Sequence, residues 1–384
     1  MEAGLYIHIP FCQSRCVYCG FYSTVHPDWQ DRYVGALCRE MDLLAARGLF
    51  GGASLQTIYL GGGTPSMLSR ANMERLFANV YKVYPVAPSA EITVECNPDD
   101  IRPGMFASLP VNRVSMGAQT FDDRRLRFLG RRHSAAQVGS AVDTLRRDGI
   151  TNISLDLMFG FPDETLAQWD DDLRQALALR PEHLSAYGLM VEEGTPLHRL
   201  CEQGRVREAD EEVCLSMYDR LVDRLAAAGY EHYEISNFAR LDSVADAAAA
   251  EGVSPYRSRH NSSYWTDVPY IGLGAAAHSY DRQARRWNPS DIVQYMDSIE
   301  QGRLPFEEEP IDAATHYNDL VTTALRMREG IDINRLDDKH RTFLLRNARG
   351  YMERGLLRLN GHRLHLTHQG ISISNTIMSD LMDV

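Results

Sequence analysis

Six short runs rich in apolar and β-branched residues punctuate the first half of the chain: Leu5–Ile9, Thr57–Leu60, Glu91–Glu95, Arg113–Met116, Ile153–Met158 and Leu184–Leu189. Between them lie longer stretches such as Asp31–Leu49 and Ala71–Tyr84, whose apolar positions recur three or four apart. The first pattern reads as strand and the second as amphipathic helix. Their alternation predicts an α/β fold with a parallel sheet. Six strands fit before the pattern fades near residue 190, so a partial (β/α)6 barrel is expected rather than a closed barrel of eight.

Further along, Ala209–Gly229 is again helical in spacing, and residues 241–256 are Ala-rich and of low complexity, as in a surface insertion or mobile loop. From about residue 310 the pattern becomes helix, helix, a hairpin turning at Asn360–Gly361, and a last helix. This predicts a small α+β, winged-helix-like C-terminal domain. The expected organisation is a barrel over 1–235, a connecting region over 236–305 and an accessory domain over 306–384.

With 40 Lys and Arg against 52 Asp and Glu, the 384-residue chain carries a formal net charge of -12. Such a balance gives no general field for polyanions, so no nucleic-acid partner and at most peripheral membrane contact are expected. The arginines of the C-terminal unit (Arg335, Arg341, Arg346, Arg349, Arg354, Arg358, Arg363) beside a hairpin could suggest DNA contact, but a solvated helix face is the commoner meaning. No apolar run approaches the ~20 residues of a membrane span, and MEAGLYIHIP lacks the basic and apolar regions of a signal peptide. A soluble, cytoplasmic protein is expected. Its oligomeric state is not fixed by these features.

Seven cysteines are unevenly spread: Cys12, Cys16 and Cys19 cluster, while Cys38, Cys96, Cys201 and Cys214 are scattered. In a reducing compartment such a cluster reads as a metal or redox site. The Cys-x3-Cys-x2-Cys spacing suits three corners of a [4Fe-4S] cluster, leaving one iron open to a small molecule. A structural zinc site, completed by Cys96 or His26, is the alternative.

Other marked residues fall at or near the C-terminal ends of the strands. The cysteines follow the first, Gly61-Gly62-Gly63-Thr64-Pro65 the second, and Glu95 ends the third. Gln119 follows the fourth, Asp156 lies near the end of the fifth, Tyr187 sits in the sixth, and Arg131 stands in LGRRHS. Singly, each is a common turn or strand-end residue. Together they mark the rim at which β/α barrels build active sites.

FCQSRCVYCGF, GGTP, ECNP, GAQTF, GRRHS and DLMFGFP together resemble the radical S-adenosylmethionine superfamily, and within it the branch of oxygen-independent coproporphyrinogen III oxidases and HemW-type heme chaperones. The likeness runs from Tyr6 almost to the C-terminus. It implies a [4Fe-4S] cluster on Cys12, Cys16 and Cys19, its open iron chelated by the amino and carboxylate groups of S-adenosylmethionine. It further implies that Tyr6 and Tyr18 touch this cofactor, that Gly62, Gly63 and Thr64 hold its methionine end, and that Glu95, Gln119, Arg131 and Asp156 contact it. An electron donor would serve the cluster, and in the superfamily's chemistry that electron splits the sulfonium to a 5'-deoxyadenosyl radical.

Two departures separate the chain from the oxidase pattern. Phe21 stands where the oxidases carry a further cysteine, and Cys12 lies close to the start, without their N-terminal extension. HNSSYW, residues 260–265, is instead similar to the His-Asn-x-x-Tyr-Trp motif of the chaperones. The resemblance implies His260 as an axial ligand of heme iron, with Tyr264 and Trp265 as flat apolar surface and His278 as a second candidate. Local packing of a Tyr–Trp pair beside a capping His-Asn is the structural alternative. The reading reached is a heme chaperone that delivers heme to an acceptor, a respiratory heme protein. Oxidative decarboxylation of coproporphyrinogen III is the alternative, and whether the chain is an enzyme stays open.

Overall fold

All six runs are strands in the computed structural model of the chain, which describes residues 2–242 and 253–383. They are β1 (Glu2–Ile9), β2 (Ser54–Gly62), β3 (Val86–Cys96), β4 (Arg113–Gln119), β5 (Ile153–Phe159) and β6 (His183–Gly188). Each pairs in parallel with the next. The crossovers carry α1 (Gln30–Ala46), α2 (Arg70–Val83), α3 (Asp123–Leu129), α4 (Ala135–Arg147) and α5 (Leu166–Ala178). Ser134 and Thr165 start α4 and α5 with reciprocal capping boxes, as Ser/Thr-x-x-Gln predicts.

Because successive strand residues point to opposite faces, each strand sorts its own side chains. Ile7, Ile9, Ile58, Leu60, Ile92, Val94, Val114, Met116, Leu155 and Leu157 join the buried core that the helices cover. The intervening positions fill the other face with polar groups: Thr57, Glu91, Thr93, Arg113, Ser115, Ser154, His183 and Ser185 are all buried. The barrel therefore has an apolar jacket and a polar lumen.

After β6 the chain forms α6 (Pro196–Glu202) and α7 (Glu211–Ala227), then the hairpin of β7 (Tyr230–Glu234) and β8 (Asn237–Arg240), which adds antiparallel beside β6. At the other edge β9 (Tyr270–Leu273) pairs in parallel with β1, and β10 (His278–Tyr280), β11 (Ala284–Trp287) and β12 (Glu307–Pro310) continue antiparallel. The result is a 12-stranded sheet among the described residues. Much of 236–305, expected as a connecting region, thus extends this sheet at both edges. Of the Ala-rich stretch 241–256, positions 243–252 lie outside the described residues.

The helix Arg259–Trp265 is tied into the lumen. Its first backbone N–H groups, those of Arg259 and His260, donate to the two oxygens of buried Glu91 at 3.0 and 2.9 Å, and Ser258 caps it through the N–H of Asn261.

The C-terminal unit has helices at Ala313–Ala324, Asp338–Glu353 and Ser374–Asp380 around a three-stranded sheet of β13 (Ile331–Asp332), β14 (Leu357–Asn360) and β15 (Arg363–Leu366). It has its own core, including Leu344, Leu357, Leu364 and Ile377. Ion pairs fasten it to the barrel: Arg326 to buried Glu234 at 2.7 Å, and Arg335 to buried Asp267 at 3.0 Å. Asp267 also accepts from the Tyr280 hydroxyl at 2.6 Å. Among the described residues no helix is long and apolar enough to cross a membrane.

Glu91→Ala strands two buried backbone donors at the start of the helix Arg259–Trp265. Urea unfolding is expected to show a loss of about 2–3 kcal/mol, with part of it recovered in Glu91→Gln.

Candidate functional site

At the C-terminal ends of β1–β6 lies a cavity of ≈ 520 Å³. It is bordered by Cys12, Cys16, Cys19 and Tyr18 from the loop after β1, by Gly62, Gly63 and Thr64 at the end of β2, and by Glu95, Gln119, Arg131 and Asp156. Residues scattered over some 145 positions thus share one wall because the parallel strands all end on the same side.

The cysteine loop is pinned from several directions. Cys12 N donates to Thr24 O at 2.9 Å, Val17 N to Leu129 O at 3.0 Å, and Cys19 N to Cys16 O at 3.2 Å. The glycine turn supplies the closest support: Gly63 N donates to Ile9 O and Thr64 N to Phe11 O, both at 2.8 Å. A Cβ on Gly63 would stand 2.7 Å from the backbone carbon of Pro10, and Gly62 has a left-handed φ of 110°. Glycine is required at both positions. The backbone N–H groups of Gly62, Gly63 and Thr64 are therefore spent on internal bonds, with Gly62 N donating to Glu95 Oε2 at 3.0 Å. These bonds hold the loop that carries the cysteines, and all three residues border the cavity. The Thr64 hydroxyl faces Cys12 Sγ at 3.6 Å and accepts from the Asn97 side chain at 3.3 Å.

Burial raises the Cys12 and Cys19 thiol pKa values, so metal loading of this loop would release protons. Among the described residues no group of three or more His, Cys, Asp or Glu side chains is gathered as a single-ion site. The three thiols all border the cavity, and three thiolates suit three corners of a [4Fe-4S] cluster.

Two carboxylates occupy the wall. Burial pushes the Glu95 carboxyl up to about 7, opposed by hydrogen bonds from Tyr59 and Gly62 N and reinforced by the charge of Asp156. The Tyr59 hydroxyl lies 2.7 Å from Glu95 Oε1. Asp156 is also raised by burial, against hydrogen bonding from Ser185 and Ser115 and the charge of Arg113. Arg131 donates to Asn97 Oδ1 at 2.5 Å and Gly117 O at 2.7 Å, and reaches Cys16 Sγ at 3.8 Å. Gln119 sits at a φ of 64°, where the β4–β5 register slips. Such a conformation in a non-glycine residue persists only where the surroundings hold it.

Not every expected residue is part of this wall. Tyr6 does not line the cavity: its hydroxyl bonds His8 Nδ1 at 2.9 Å, and its ring stacks on Tyr59 and His260 within the lumen. His260 is 1% exposed, with Nδ1 at 2.8 Å from Thr57 Oγ1 and Nε2 at 2.9 Å from the Tyr264 hydroxyl. Both ring nitrogens are engaged, and burial lowers its pKa to about 3. His260 and Tyr264 thus form a latch inside the barrel rather than an open iron ligand. Trp265 lies under the Arg326 guanidinium, 4.6 Å from its ring centre, and His278 is exposed on β10 beside Trp287. The four residues expected at heme are not brought together.

Asn97, Ser115, His133 and Ser185 also line the cavity. Asn97 follows Glu95 in ECNP, and Ser115 and Ser185 lie on inward positions of β4 and β6, so strand periodicity could have found them. At the mouth stand three exposed apolar side chains, Phe21, Tyr187 and Met190, of which Phe21 is 70% exposed.

Residues 6–176 match the Radical SAM superfamily, and residues 311–373 the HemN C-terminal domain. The chain is 33% identical over 382 residues to the heme chaperone HemW of Bacillus subtilis (strain 168), covering 97% of each chain. It belongs to the HemW family of radical SAM proteins. Another member, the heme chaperone HemW of Escherichia coli (strain K12), is 36% identical over 280 residues, which is 72% of this chain and 69% of that one. The fold of the family is shared with coproporphyrinogen III oxidase (HemN) from Escherichia coli: the TM-score is 0.83 at 23% identity, over 99% of this chain and 90% of that one.

Gly63→Ala drives a methyl group into the backbone of the cysteine loop, and iron retained per chain after anaerobic reconstitution is expected to fall to less than about half. A second prediction concerns Glu95, whose raised pKa makes its ionisation a cost to folding that is absent below the usual carboxylate range and complete above about 7. In Glu95→Gln the unliganded protein should melt about 2–4 °C higher at pH 8, with little gain at pH 5, as scanning calorimetry would show.

Proposed function

We propose that the chain is a heme chaperone: it carries a [4Fe-4S] cluster, binds S-adenosylmethionine and heme, and passes the heme to an acceptor, a respiratory heme protein. Cys12, Cys16 and Cys19 would hold the cluster, with an electron donor serving it. Tyr18, Thr64, Glu95, Gln119, Arg131 and Asp156 would orient S-adenosylmethionine, while Gly62 and Gly63 fix the loop on which the thiolates stand and Tyr6 packs beneath. When bound, the cluster would supply an electron to the sulfonium. The protein's own part is placement of the cofactor and exclusion of water.

The observation that carries this reading is the convergence of three thiols, two half-buried carboxylates and Arg131 on one cavity wall. It is supported by full-length similarity to proteins named heme chaperone. Burial leaves Glu95 neutral in the empty site up to about pH 7, and its ionised form is the better acceptor for cofactor N–H and O–H groups. Phe21 at the mouth argues against the second reading, porphyrinogen decarboxylation, which the shared fold keeps in view.

Anaerobically reconstituted protein is expected to hold about four iron atoms per chain and to shift the Soret band of added hemin. Zinc in place of iron would overturn the cluster assignment. Repeated turnover of coproporphyrinogen III with reductant and S-adenosylmethionine would replace the chaperone by the decarboxylase. S-adenosylmethionine affinity should rise between pH 6 and pH 8 in the wild type and stay flat in Glu95→Gln, as measured by calorimetry.

A further inference from the structure

Between the cysteine loop and the end of β3 a chain of hydrogen bonds links two of the three thiols. Arg131 Nη1 reaches Cys16 Sγ at 3.8 Å, and Arg131 Nη2 donates to Asn97 Oδ1 at 2.5 Å. Asn97 Nδ2 in turn donates to Thr64 Oγ1 at 3.3 Å, and Thr64 Oγ1 lies 3.6 Å from Cys12 Sγ. We propose that Asn97 is a positioning residue: it aims the Thr64 hydroxyl and the Arg131 guanidinium at the sulfurs of Cys12 and Cys16, and through them makes the cluster easier to reduce. The proposal rests on the cluster assignment above and deepens it.

The direction of these bonds carries the argument. A guanidinium has donors and no acceptor, so the Asn97 side chain must turn its oxygen to Arg131 and its NH2 to Thr64. The Thr64 oxygen then accepts, and its own proton is left for Cys12 Sγ. At the other end Arg131 can only donate, so Cys16 Sγ can only accept. Both ends thus point protons at sulfur, the arrangement that favours a negatively charged thiolate over a thiol.

Asn97 and its neighbours are held in place. The Asn97 backbone N–H donates to Ser66 Oγ at 3.4 Å, and Ser66 Oγ donates to Asp100 Oδ2 at 2.9 Å. Arg131 has a second acceptor in Gly117 O at 2.7 Å, and Thr64 is buried. Cys12 also takes a hydrogen bond from Ser23, and Cys19 takes one from the backbone N–H of Phe21, outside the chain of Asn97. Donors aimed at cluster-bound sulfur oppose the negative charge that an added electron brings, so they raise the reduction potential. That electron comes from the donor serving the cluster, and the hydrogen bonds take part without transfer of a proton.

The test is the midpoint potential of the anaerobically reconstituted full chain, followed by electron paramagnetic resonance on samples matched for iron content. S-adenosylmethionine is left out, so that contacts of Thr64 and Arg131 with it play no part. Thr64→Val removes the donor to Cys12, and Asn97→Ala removes the group that aims it. Each is expected to shift the equilibrium against the reduced cluster by about threefold to tenfold, tenfold being about 59 mV for one electron. Thr64→Ser, which keeps the hydroxyl, should keep the wild-type potential. The double variant Asn97→Ala, Thr64→Val should shift by less than the sum of the two, because both changes act on the Cys12 sulfur. Unchanged potentials in Asn97→Ala and Thr64→Val, or shifts that add in full, overturn the proposal. A wild-type chain that takes up no iron–sulfur cluster removes the cluster assignment itself.

Discussion

The constraint on which the rest of the molecule depends is the two-residue period of its strands. Every inward position of β1–β6 shares a lumen with five other strands, and every outward position meets a helix. Once Ile7, Ile58, Val94, Val114 and Leu155 are committed to the jacket, their neighbours must line the lumen. Those neighbours are polar, so the interior is a hydrogen-bonded assembly whose members have to satisfy one another. His183 illustrates this, with one ring nitrogen on Ser154 and the other on the Tyr233 hydroxyl, each at 2.8 Å.

Such an interior is costly wherever a partner is missing. Near the thiols the half-buried carboxyls Glu95 and Asp156 have raised pKa values, and His133 Nδ1 has no partner among the described residues. Deeper down Glu91 satisfies a helix start with both its oxygens, while Thr93 Oγ1 and Arg113 Nε lack a partner among the described residues.

The period-two runs and the helical spacing made the barrel legible in the sequence, and the rim rule gathered the cysteines, Glu95, Gln119, Arg131 and Asp156 onto one wall. The edge strands escaped because they are short and, as in Glu307–Pro310, fully exposed, so they show no alternation. A motif names residues but not the direction in which they point. HNSSYW therefore gave no sign that Thr57 and Tyr264 take both nitrogens of His260. A run of glycines signals close approach of backbone, and at Gly63 the approaching backbone is that of Pro10. Met190, a lone apolar residue in a loop, carries no pattern at all.

The pairing of β1 with β9 ties the two ends of the barrel's history together. β1 leads directly into the cysteine loop, yet one of its two neighbours begins at Tyr270. The second edge of β1 is filled only by a strand that follows β2–β8 in the chain, a long-range closure of the kind that slows folding. The cysteine loop thus hangs from a strand whose second neighbour comes from a distant part of the chain, so its full support depends on that long-range closure.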